Sequence, residues 1–545
     1  MTELLTAAQM RAIEQAAIAS GEVTGLELME RAGAGVVEAI LEEWPDMALT
    51  AQKAVVLCGP GNNGGDGFVV ARLLKQRGWA VEVFLYGEVA KLPPDAKVNA
   101  ERWLEIGEIA KLSPKAVDRK THSGAVFIDA IFGTGLTRPL EGAAHDAMRR
   151  LAFLKGMPVM RKALIAIDAP SGLCLDSGRP IVKAAGAAGY YVPYANLTVA
   201  FQSPKIGHVV SDGSVHCKKL VIIDIGLEKI AKKHARGNLG TGAYIPQKAN
   251  SYANLFSIKE SLMTELRKSG FGVFEHKYHH GHALILSGPS AHTGAARLAA
   301  RGALRIGAGV VSLGAPQSAI PECAAQLTAI MLAPIEDGVA LEATLQDKRI
   351  NALCLGPALG LDERAEGLLE AAIGGVEPHP TVLDADALTI LARNPDLFAK
   401  LHKNCVLTPH AGEFKRLFPD IMTKLDAPAT KGPAYSKVDA TREAAAVAGC
   451  VVLFKGADTV IAAPDGRAAI NSAHYERAAP WLATAGSGDV LAGFITGLLA
   501  RGFAPMQAAE TAAWLHVECA LQFGPGLIAE DLPEQLPAVF KALGL

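Results

Sequence analysis

The densest chemical motif of this 545-residue chain is TAGSGDVLAG, residues 484–493. Small residues and glycines precede a single carboxylate, Asp489, and an apolar run suited to a helix follows it. The first turn of a helix presents free backbone N–H groups at the positive end of the helix dipole, where anions bind. A carboxylate there can accept the proton of a hydroxyl that attacks a phosphate. The motif predicts phosphoryl transfer and leaves the acceptor open.

Other motifs of small and polar residues follow apolar runs elsewhere in the C-terminal half. They are SGPSAHTGAA (287–296), GPALG (356–360), DADAL (384–388), TPHAGE (408–413) and KGADT (455–459). Within the last, Lys455 can act as a point charge for a phosphate and Thr459 can add a hydroxyl. Because the carboxyl ends of parallel strands meet at one edge of a sheet, we expect these motifs to form one site.

The N-terminal half contains three comparable loops. They are GPGNNGGDG (59–67), DAIFGTGLTRP (129–139) and DAPSG (168–172), each directly after an apolar run. Glycines allow close approach of the backbone to a phosphate, while amide and carboxylate oxygens suit a hard cation or ribose hydroxyls. The spacing matches neither the dinucleotide fingerprint nor a Walker A loop, which disfavours an ordinary nucleotide-dependent dehydrogenase.

Short β-branched runs alternate with helical patterns along most of the chain, as in α/β proteins with mostly parallel sheets. The predicted strands are 53–58, 81–86, 126–129, 164–168, 197–201 and 220–225, then 283–287, 309–313, 352–356, 381–383, 405–407 and 451–454. Helices are predicted over 67–77, 294–306 and 490–500. The pattern lapses between about 228 and 277, so we expect two different α/β domains, 1–230 and 231–545, with a linker at about 230–275.

Composition narrows the class of protein. The length calls for two or more domains, and 50% hydrophobic with 20% charged residues is typical of a soluble enzyme. A formal net charge of −2 does not indicate binding to nucleic acid or to an anionic membrane. Three features favour the cytoplasm. The eight cysteines are scattered, the N-terminus has the capping-box spacing of Thr6 and Gln9 rather than the pattern of a signal peptide, and no apolar run reaches the length of a membrane span.

Residues 1 to about 227 resemble the NAD(P)H-hydrate epimerase family, which has a Rossmann-like three-layer fold. The matching segments are LLTAAQMRAIE, LMERAG, GNNGGDG, DAIFGTGL, DAPSGL and FQSPKIG. The resemblance implies a potassium ion held by Asn63, Asp129 and Ser171, and Asp168 at the reacting ring as the catalytic carboxylate. It implies dinucleotide binding by Asn62, Asn63, Gly64, Gly65 and Asp66, and by Gly133, Thr134, Gly135, Leu136, Thr137, Arg138 and Pro139.

Residues 275–545 resemble the ribokinase-like superfamily, and within it the ADP-dependent NAD(P)H-hydrate dehydratases, with an α/β/α fold. TGAARLAARGALRIGAGVV, LDADAL, LTPHAGEF, VVLFKGADTVI and LATAGSGDVLAGFITGLLARG are the matching segments. The resemblance implies that Asp489 is catalytic and lies at the hydrated nicotinamide with Ala296, Gly360 and His410. It assigns the adenine nucleotide to Lys455, Gly456, Ala457, Asp458, Thr459 and Gly488, with Mg²⁺ accompanying ADP.

These resemblances imply a bifunctional repair enzyme for hydrated NADH and NADPH. One domain would interconvert the R and S hydrates, and the other would dehydrate the S form at the expense of ADP. We expect small-molecule substrates, no nucleic-acid or membrane partner, and a homo-oligomer. Two alternatives stay open: a ribokinase-like kinase of a vitamin precursor with an accessory N-terminal domain, and an N-terminal domain that binds a ligand without catalysis.

Overall fold

The computed structural model describes residues 2–117, 124–154, 163–183, 191–229, 253–255, 260–268, 276–375 and 377–545. The chain divides into two compact units, one of residues 3–249 with 426–437 and one of residues 250–425 with 438–545. The predicted domain boundary near residue 230 and most of the predicted linker lie outside the described residues. Within that linker, Ala253–Leu255 is a strand and Glu260–Leu266 a helix.

The N-terminal unit is built on a parallel sheet of seven strands. The chain begins with a short strand, β1 (Thr2–Leu4), which is not part of this sheet. The strands of the sheet are β2 (Lys53–Cys58), β3 (Ala80–Leu85), β4 (Ile109–Lys111), β5 (Ala125–Ala130), β6 (Leu164–Ile167), β7 (Leu197–Phe201) and β8 (Lys219–Ile223). The strand order is β4-β3-β2-β5-β6-β7-β8, and every neighbouring pair is parallel. Strands β5 to β7 are buried along their whole length, as expected of a parallel sheet covered on both faces.

Helices of this unit follow the strands and fill the two layers beside the sheet. The helices are Ala7–Ala19, Gly25–Glu43, Asp46–Leu49, Asn62–Gln76, Pro94–Leu104, Gly142–Leu154, Ile206–Val209 and Gly213–Cys217, with 3₁₀ turns at Val89–Lys91 and Pro114–Val117. The predicted capping box is confirmed: Gln9 N donates to Thr6 Oγ1 at 3.2 Å, and Thr6 N donates to Gln9 Oε1 at 2.8 Å. These two bonds satisfy backbone donors that the helix start leaves free.

The C-terminal unit has a larger, mixed sheet. Its strands are β9 (Ala253–Leu255), β10 (His282–Leu286), β11 (Val310–Ala315), β12 (Met331–Pro334), β13 (Ala352–Leu355), β14 (Thr381–Leu383), β15 (Cys405–Leu407), β16 (Val451–Phe454), β17 (Asp458–Ala462) and β18 (Ala468–Ser472). They run in the order β9-β18-β17-β16-β15-β14-β13-β10-β11-β12. Strand β17 pairs antiparallel with both neighbours, and the other pairs are parallel.

Thirteen described helices surround this sheet, and two of them pack closely to place Asp489. The helices are Glu260–Leu266, Gly294–Arg305, Ile320–Ala324, Gly338–Thr344, Glu363–Ile373, Ala385–Arg393, Pro395–Phe398, Ala411–Leu417, Pro419–Asp426, Lys437–Ala448, Ser487–Ala500, Pro505–Phe523 and Asp531–Ala542, with 3₁₀ turns at Lys277–His280, Gln317–Ala319, Tyr475–Arg477 and Pro480–Leu482. A Cβ at Gly493 would lie 2.1 Å from Ala299 O, so only glycine lets the helix Ser487–Ala500 approach the helix Gly294–Arg305 this closely.

The predicted α/β architecture is confirmed in both units. Every predicted strand is present, and the three predicted helices occur at Asn62–Gln76, Gly294–Arg305 and Ser487–Ala500. All eight cysteines are buried free thiols. None of the helices in the part of the chain that the structure describes is both long and apolar enough for a membrane span.

Candidate active sites

The glycine-rich loop after β2 lies against the loop after β5 in the N-terminal unit. The helix Asn62–Gln76 begins within this loop, directly after Gly61. A Cβ at Gly64 would lie 2.1 Å from Gly59 O, and a Cβ at Gly59 would lie 1.8 Å from Ile131 O. The backbones therefore touch where a helix N-terminus faces the carboxyl ends of parallel strands, a geometry suited to a phosphate.

Asp168 is the centre of this site. It follows β6 with φ 65°, a left-handed conformation that costs energy for a residue with a Cβ, and its side chain is buried. Oδ2 accepts a hydrogen bond from Thr134 N at 2.7 Å, and Oδ1 lies 3.4 Å from the Lys205 ammonium. Burial raises the pKa of Asp168, but the charge of Lys205, the neighbouring His208 and the hydrogen bond from Thr134 together outweigh burial and lower the pKa, so the carboxylate is ionised at neutral pH.

Two of the three predicted potassium ligands are hydrogen-bonded to each other. Ser171 Oγ donates to Asp129 Oδ1 at 2.6 Å, and Ser171 N donates to Asp129 Oδ2 at 2.7 Å. Burial raises the pKa of Asp129 to about 6, although these hydrogen bonds act to lower it. The third residue, Asn63, has a buried Nδ2 with no hydrogen-bond partner among the described residues. The carboxylate of Asp129, the hydroxyl of Ser171 and the amide oxygen of Asn63 are of the kinds that a hard cation takes as ligands.

The remaining predicted substrate-binding residues of this unit differ in how far they are exposed to solvent. Leu136 lies in the hydrophobic core beside Leu140. Asp66 is half-buried, and desolvation of its carboxylate together with the charges of Glu14 and Asp168 raises its pKa well above the usual value. The positions exposed at the surface are Asn62, Gly135, Thr137 and Arg138, whereas Gly64, Gly65 and Gly133 are buried and Pro139 is half-buried.

In the C-terminal unit, Asp489 lies in the first turn of the helix Ser487–Ala500. The residue before that helix, Gly486, has φ 86°, a left-handed conformation in which a side chain would be strained. Burial and the nearby Asp384 raise the pKa of Asp489 to about 6, although Lys455 opposes the shift. A carboxylate with this pKa is ionised at pH 7 and remains a competent proton acceptor.

Lys455 joins three loops of this unit. Its Nζ donates to Asp384 Oδ1 at 2.7 Å and lies 3.9 Å from Glu413 Oε2. A Cβ at Gly488 would come within 3.5 Å of the same nitrogen. The ammonium therefore stands beside the glycine-led helix start that carries Asp489, where both can act on one phosphate.

A cavity of about 510 Å³ extends from Lys455 along the antiparallel strands. Four of its lining residues are predicted nucleotide contacts, Lys455, Gly456, Ala457 and Thr459, and Gly488 is a fifth. Asp458 is not among the described residues that line it. The further wall is largely apolar, with Asn471, Ala473, His474, Pro480, Leu482, Leu491, His516 and Val517 among its members. Such a cavity suits a flat, partly apolar ring at one end and a phosphate at the other.

The other predicted contacts of this unit lie on neighbouring loops. His410 begins the helix Ala411–Leu417; its Nδ1 accepts from Gly412 N at 2.9 Å, and its Nε2 lies 3.4 Å from Glu413 Oε1. Gly360 N donates to Asp386 Oδ2 at 2.9 Å, and Gly360 has φ 97°. Ala296 is fully buried in the helix Gly294–Arg305.

Four charged residues of the two sites are absent from the sequence-predicted set. They are Glu14 and Lys205 near Asp168, and Asp384 and Glu413 around Lys455. Asp384 and Glu413 do lie in the strand-end motifs DADAL and TPHAGE, and that position was a usable signal. Glu14 ends the segment LLTAAQMRAIE and lies on the helix Ala7–Ala19, which follows none of the apolar strand-like runs, so the strand-end reasoning did not reach it.

The fold and the two sites define an enzyme with two α/β catalytic units, each presenting a carboxylate and glycine-rich backbone to a phosphorylated ligand. The family model described as NAD(P)H-hydrate dehydratase matches residues 283–537, and that of the YjeF-related protein N-terminus matches residues 25–207. A bifunctional NAD(P)H-hydrate repair enzyme from Moorella thermoacetica is 32% identical over 563 residues, covering 99% of this chain and 97% of that protein. The chain therefore belongs to the family of bifunctional NAD(P)H-hydrate repair enzymes, as its motifs predicted.

Two further similarities each cover about half of the chain or less. An NAD(P)H-hydrate epimerase from Rhodobacter capsulatus is 52% identical over 211 residues, covering 38% of this chain and 92% of that protein. An ADP/ATP-dependent NAD(P)H-hydrate dehydratase from Bacillus subtilis, co-crystallised with ATP and Mg²⁺, is 26% identical with a TM-score of 0.41, covering 53% of this chain and 98% of that chain.

Proposed function

We propose that the chain repairs hydrated NADH and NADPH in two steps. The N-terminal unit interconverts the R and S hydrates, and the C-terminal unit dehydrates the S form with ADP as the phosphoryl donor. The observation that supports this most directly is the position of Asp489, in the first turn of a glycine-led helix and beside the charged Lys455. The substrate is inferred from the activities for which the relatives are named, and each of the two sites contains groups that can act on it.

For epimerisation, the ring nitrogen of the hydrate helps to break the neighbouring C–O bond. The departing hydroxyl takes a proton from Asp66, whose pKa burial and the charges of Glu14 and Asp168 raise well above its usual value. Water then adds to the opposite face and gives a proton to the ionised Asp168. Return of that proton to the first carboxylate resets the site, with the configuration of the carbon inverted.

For dehydration, Asp489 accepts the proton of the substrate hydroxyl as its oxygen attacks the terminal phosphorus of ADP. The bond between that phosphorus and AMP breaks, and Lys455 and the backbone N–H groups at the helix start stabilise the transferred charge. ADP enters as its magnesium complex. Phosphate, unlike hydroxide, is a good leaving group, so its departure with a proton from the adjacent carbon restores the dihydropyridine.

The epimerase site fits the potassium ion that the resemblance implies. Asn63, Asp129 and Ser171 would hold it, because the buried carboxylate of Asp129 pairs with no lysine or arginine among the described residues. The ion supplies positive charge near the dinucleotide when bound. Ser171 orients Asp129 for that purpose through its hydroxyl and its backbone N–H.

The compartment, the division of the two activities along the chain and the oligomeric state are further parts of the proposal. We propose the cytoplasm as the compartment, which the eight buried free thiols support. We also propose that the two activities belong to residues 1–230 and 231–545, and that the chain forms a homo-oligomer. Hydrated NADH and NADPH are both proposed substrates.

One assay tests both activities at once. The full chain is incubated with a racemic hydrate mixture, ADP and Mg²⁺, and the absorbance of the restored dihydronicotinamide is followed together with free phosphate. We expect complete conversion, with one phosphate released for each dinucleotide restored. A stable phosphorylated product, or no restored dinucleotide, would overturn the dehydratase assignment in favour of a kinase.

Two variants separate the sites. Asp489→Asn abolishes conversion, since the hydroxyl loses its proton acceptor. Asp168→Asn retains dehydration of the S form and stops near half conversion, because the R form is no longer epimerised. Normal epimerisation by Asp168→Asn, after subtraction of the spontaneous rate, would place the proton transfer on another residue.

A further inference from the structure

Lys205, in the segment FQSPKIG, is a buried lysine that the proposed reaction does not use. Its side chain is 1% exposed. The ammonium donates to Phe201 O at 2.9 Å and faces Asp168 Oδ1 at 3.4 Å. Lysine is almost never fully buried unless its charge is paired. The pairing with Asp168 therefore accounts for a lysine in this position.

The turn that begins at Lys205 also holds the backbone of Asp168. Lys205 N donates to His208 Nδ1 at 3.0 Å, so the proton of this neutral imidazole is on Nε2. Nε2 donates to Asp168 O at 2.8 Å. One short segment thus fixes the main chain of Asp168 through His208 and its carboxylate through Lys205.

The two oxygens of the Asp168 carboxylate have different environments. Oδ2 is anchored by Thr134 N at 2.7 Å. Oδ1 is buried and has no hydrogen-bond partner among the described residues, since the ammonium at 3.4 Å is beyond the 2.7–2.9 Å of a direct charge-assisted bond. Oδ1 is therefore near a positive charge but still available to accept a proton.

None of the other titratable groups that face Asp168 among the described residues is a cation at neutral pH. Glu14 and Asp66 carry like charge when ionised, and the Cys217 thiol is neutral because burial raises its pKa to about 12. Burial lowers the pKa of His208 to about 4, so the imidazole is neutral at pH 7. Lys205 is the cation that compensates the burial of Asp168.

We propose that Lys205 is a positioning residue of the epimerase reaction: its ammonium aligns Asp168 and keeps Oδ1 charged and free to accept the proton of the incoming water. This role rests on the proposed epimerase function. Lys205 itself makes and breaks no bond with the substrate. Its effect is exerted through the charge and the orientation of Asp168.

The test compares pH profiles of epimerisation for the full chain and for Lys205→Met. Without the ammonium, the pKa of Asp168 rises by about 1–3 units, so the acid limb of kcat moves to higher pH by that amount. We expect KM for the hydrate to stay within about twofold, since Lys205 does not touch the substrate. Dehydratase activity of the same polypeptide reports that the variant chain is intact. His208→Gln, which perturbs the bonds of the imidazole to the backbones of Asp168 and Lys205 but leaves the ammonium in place, lowers kcat and moves the limb less than Lys205→Met does.

Lys205→Ala provides a second measurement in case the methionine variant does not fold. Ethylammonium entering the vacated space restores the wild-type limb, whereas neutral 1-propanol of similar size does not. An unmoved acid limb in Lys205→Met, or equal rescue by both additives, would reduce Lys205 to a structural residue and overturn the proposal. Absence of epimerisation by the wild-type chain would instead overturn the proposed function, and this role with it.

Discussion

Lys455 Nζ lies 2.7 Å from Asp384 Oδ1 in an ion pair between the ends of two strands, β16 and β14. The Asp384 side chain is only 2% exposed. Burial alone would lower the pKa of Lys455, but Asp384 and Glu413 outweigh burial and raise it. Asp384 therefore keeps the proposed phosphate-binding ammonium charged and fixes its direction.

Replacement of this partner is expected to impair the dehydratase. In Asp384→Asn the ammonium loses a charge-assisted hydrogen bond worth about 1.5–3 kcal/mol, so we expect kcat/KM for ADP to fall by about 10- to 100-fold. Steady-state kinetics of dehydration at fixed hydrate measure this. Asp420→Asn, a change of an exposed carboxylate on the helix Pro419–Asp426, is the matched control. An unchanged kcat/KM in Asp384→Asn would show that Lys455 does not need the charge of Asp384.

The sequence was sufficient to predict the central parallel strands of both sheets, because their continuous β-branched runs reflect burial on both faces. It was less accurate where a site interrupts an element. The predicted strand 164–168 ends at Ile167, since Asp168 turns into the left-handed region to present its carboxylate. The strands β1, β4, β9, β12, β17 and β18 were not predicted, and β9 falls in the predicted linker.

The strand-end motifs were sufficient to predict Asp168 and Asp489 as candidate site residues. Their charged partners were harder to assign, because the pairing depends on distant segments. Lys205 is 37 positions from Asp168, and Asp384 is 71 positions from Lys455. Neither spacing has a local periodicity, so the fold alone brings these charges together.

The raised pKa of Asp489 predicts an acid limb for dehydration. Asp489 accepts a proton only when ionised, and burial with the charge of Asp384 raises its pKa to about 6. Activity should therefore decrease as pH falls through about 6 and reach a plateau above it. Values of kcat/KM for the hydrate across this range, which report the pKa of the free enzyme, measure the limb. A limb near the ordinary pKa of Asp, about 4, would contradict the assigned environment.

Gly133 is expected to be indispensable for epimerisation. A Cβ at this position would lie 2.6 Å from Asp168 Oδ2 and 3.0 Å from Asn63 Oδ1. In Gly133→Ala the carboxylate must move from its bond with Thr134 N, and a displacement of about 1 Å in a catalytic group can cost on the order of 100-fold in rate. Epimerase kinetics measure the loss, with dehydratase activity of the same sample as the control. Undiminished epimerisation would show that Oδ2 need not occupy this position.

Ala358 is strained, and relief of this strain should stabilise the C-terminal unit. Ala358 has φ 50°, in the loop that follows β13. The left-handed conformation costs a residue with a Cβ about 1–2 kcal/mol, whereas glycine adds about 0.5–1 kcal/mol of unfolded-state entropy. Ala358→Gly should therefore raise the free energy of unfolding by about 0.5–1 kcal/mol, or the Tm by roughly 1–4 °C, in differential scanning calorimetry.

Ala399→Gly is the control with the opposite expected sign. Ala399 is exposed and has φ −66°, a conformation without strain for alanine. Its replacement adds only the entropy cost, so we expect destabilisation by about 0.5–1 kcal/mol. If both variants lost stability equally, the left-handed conformation of Ala358 would carry no energetic cost. A gain in Ala358→Gly alone would instead confirm that this loop stores strain at the edge of the site, where Gly360 holds Asp386.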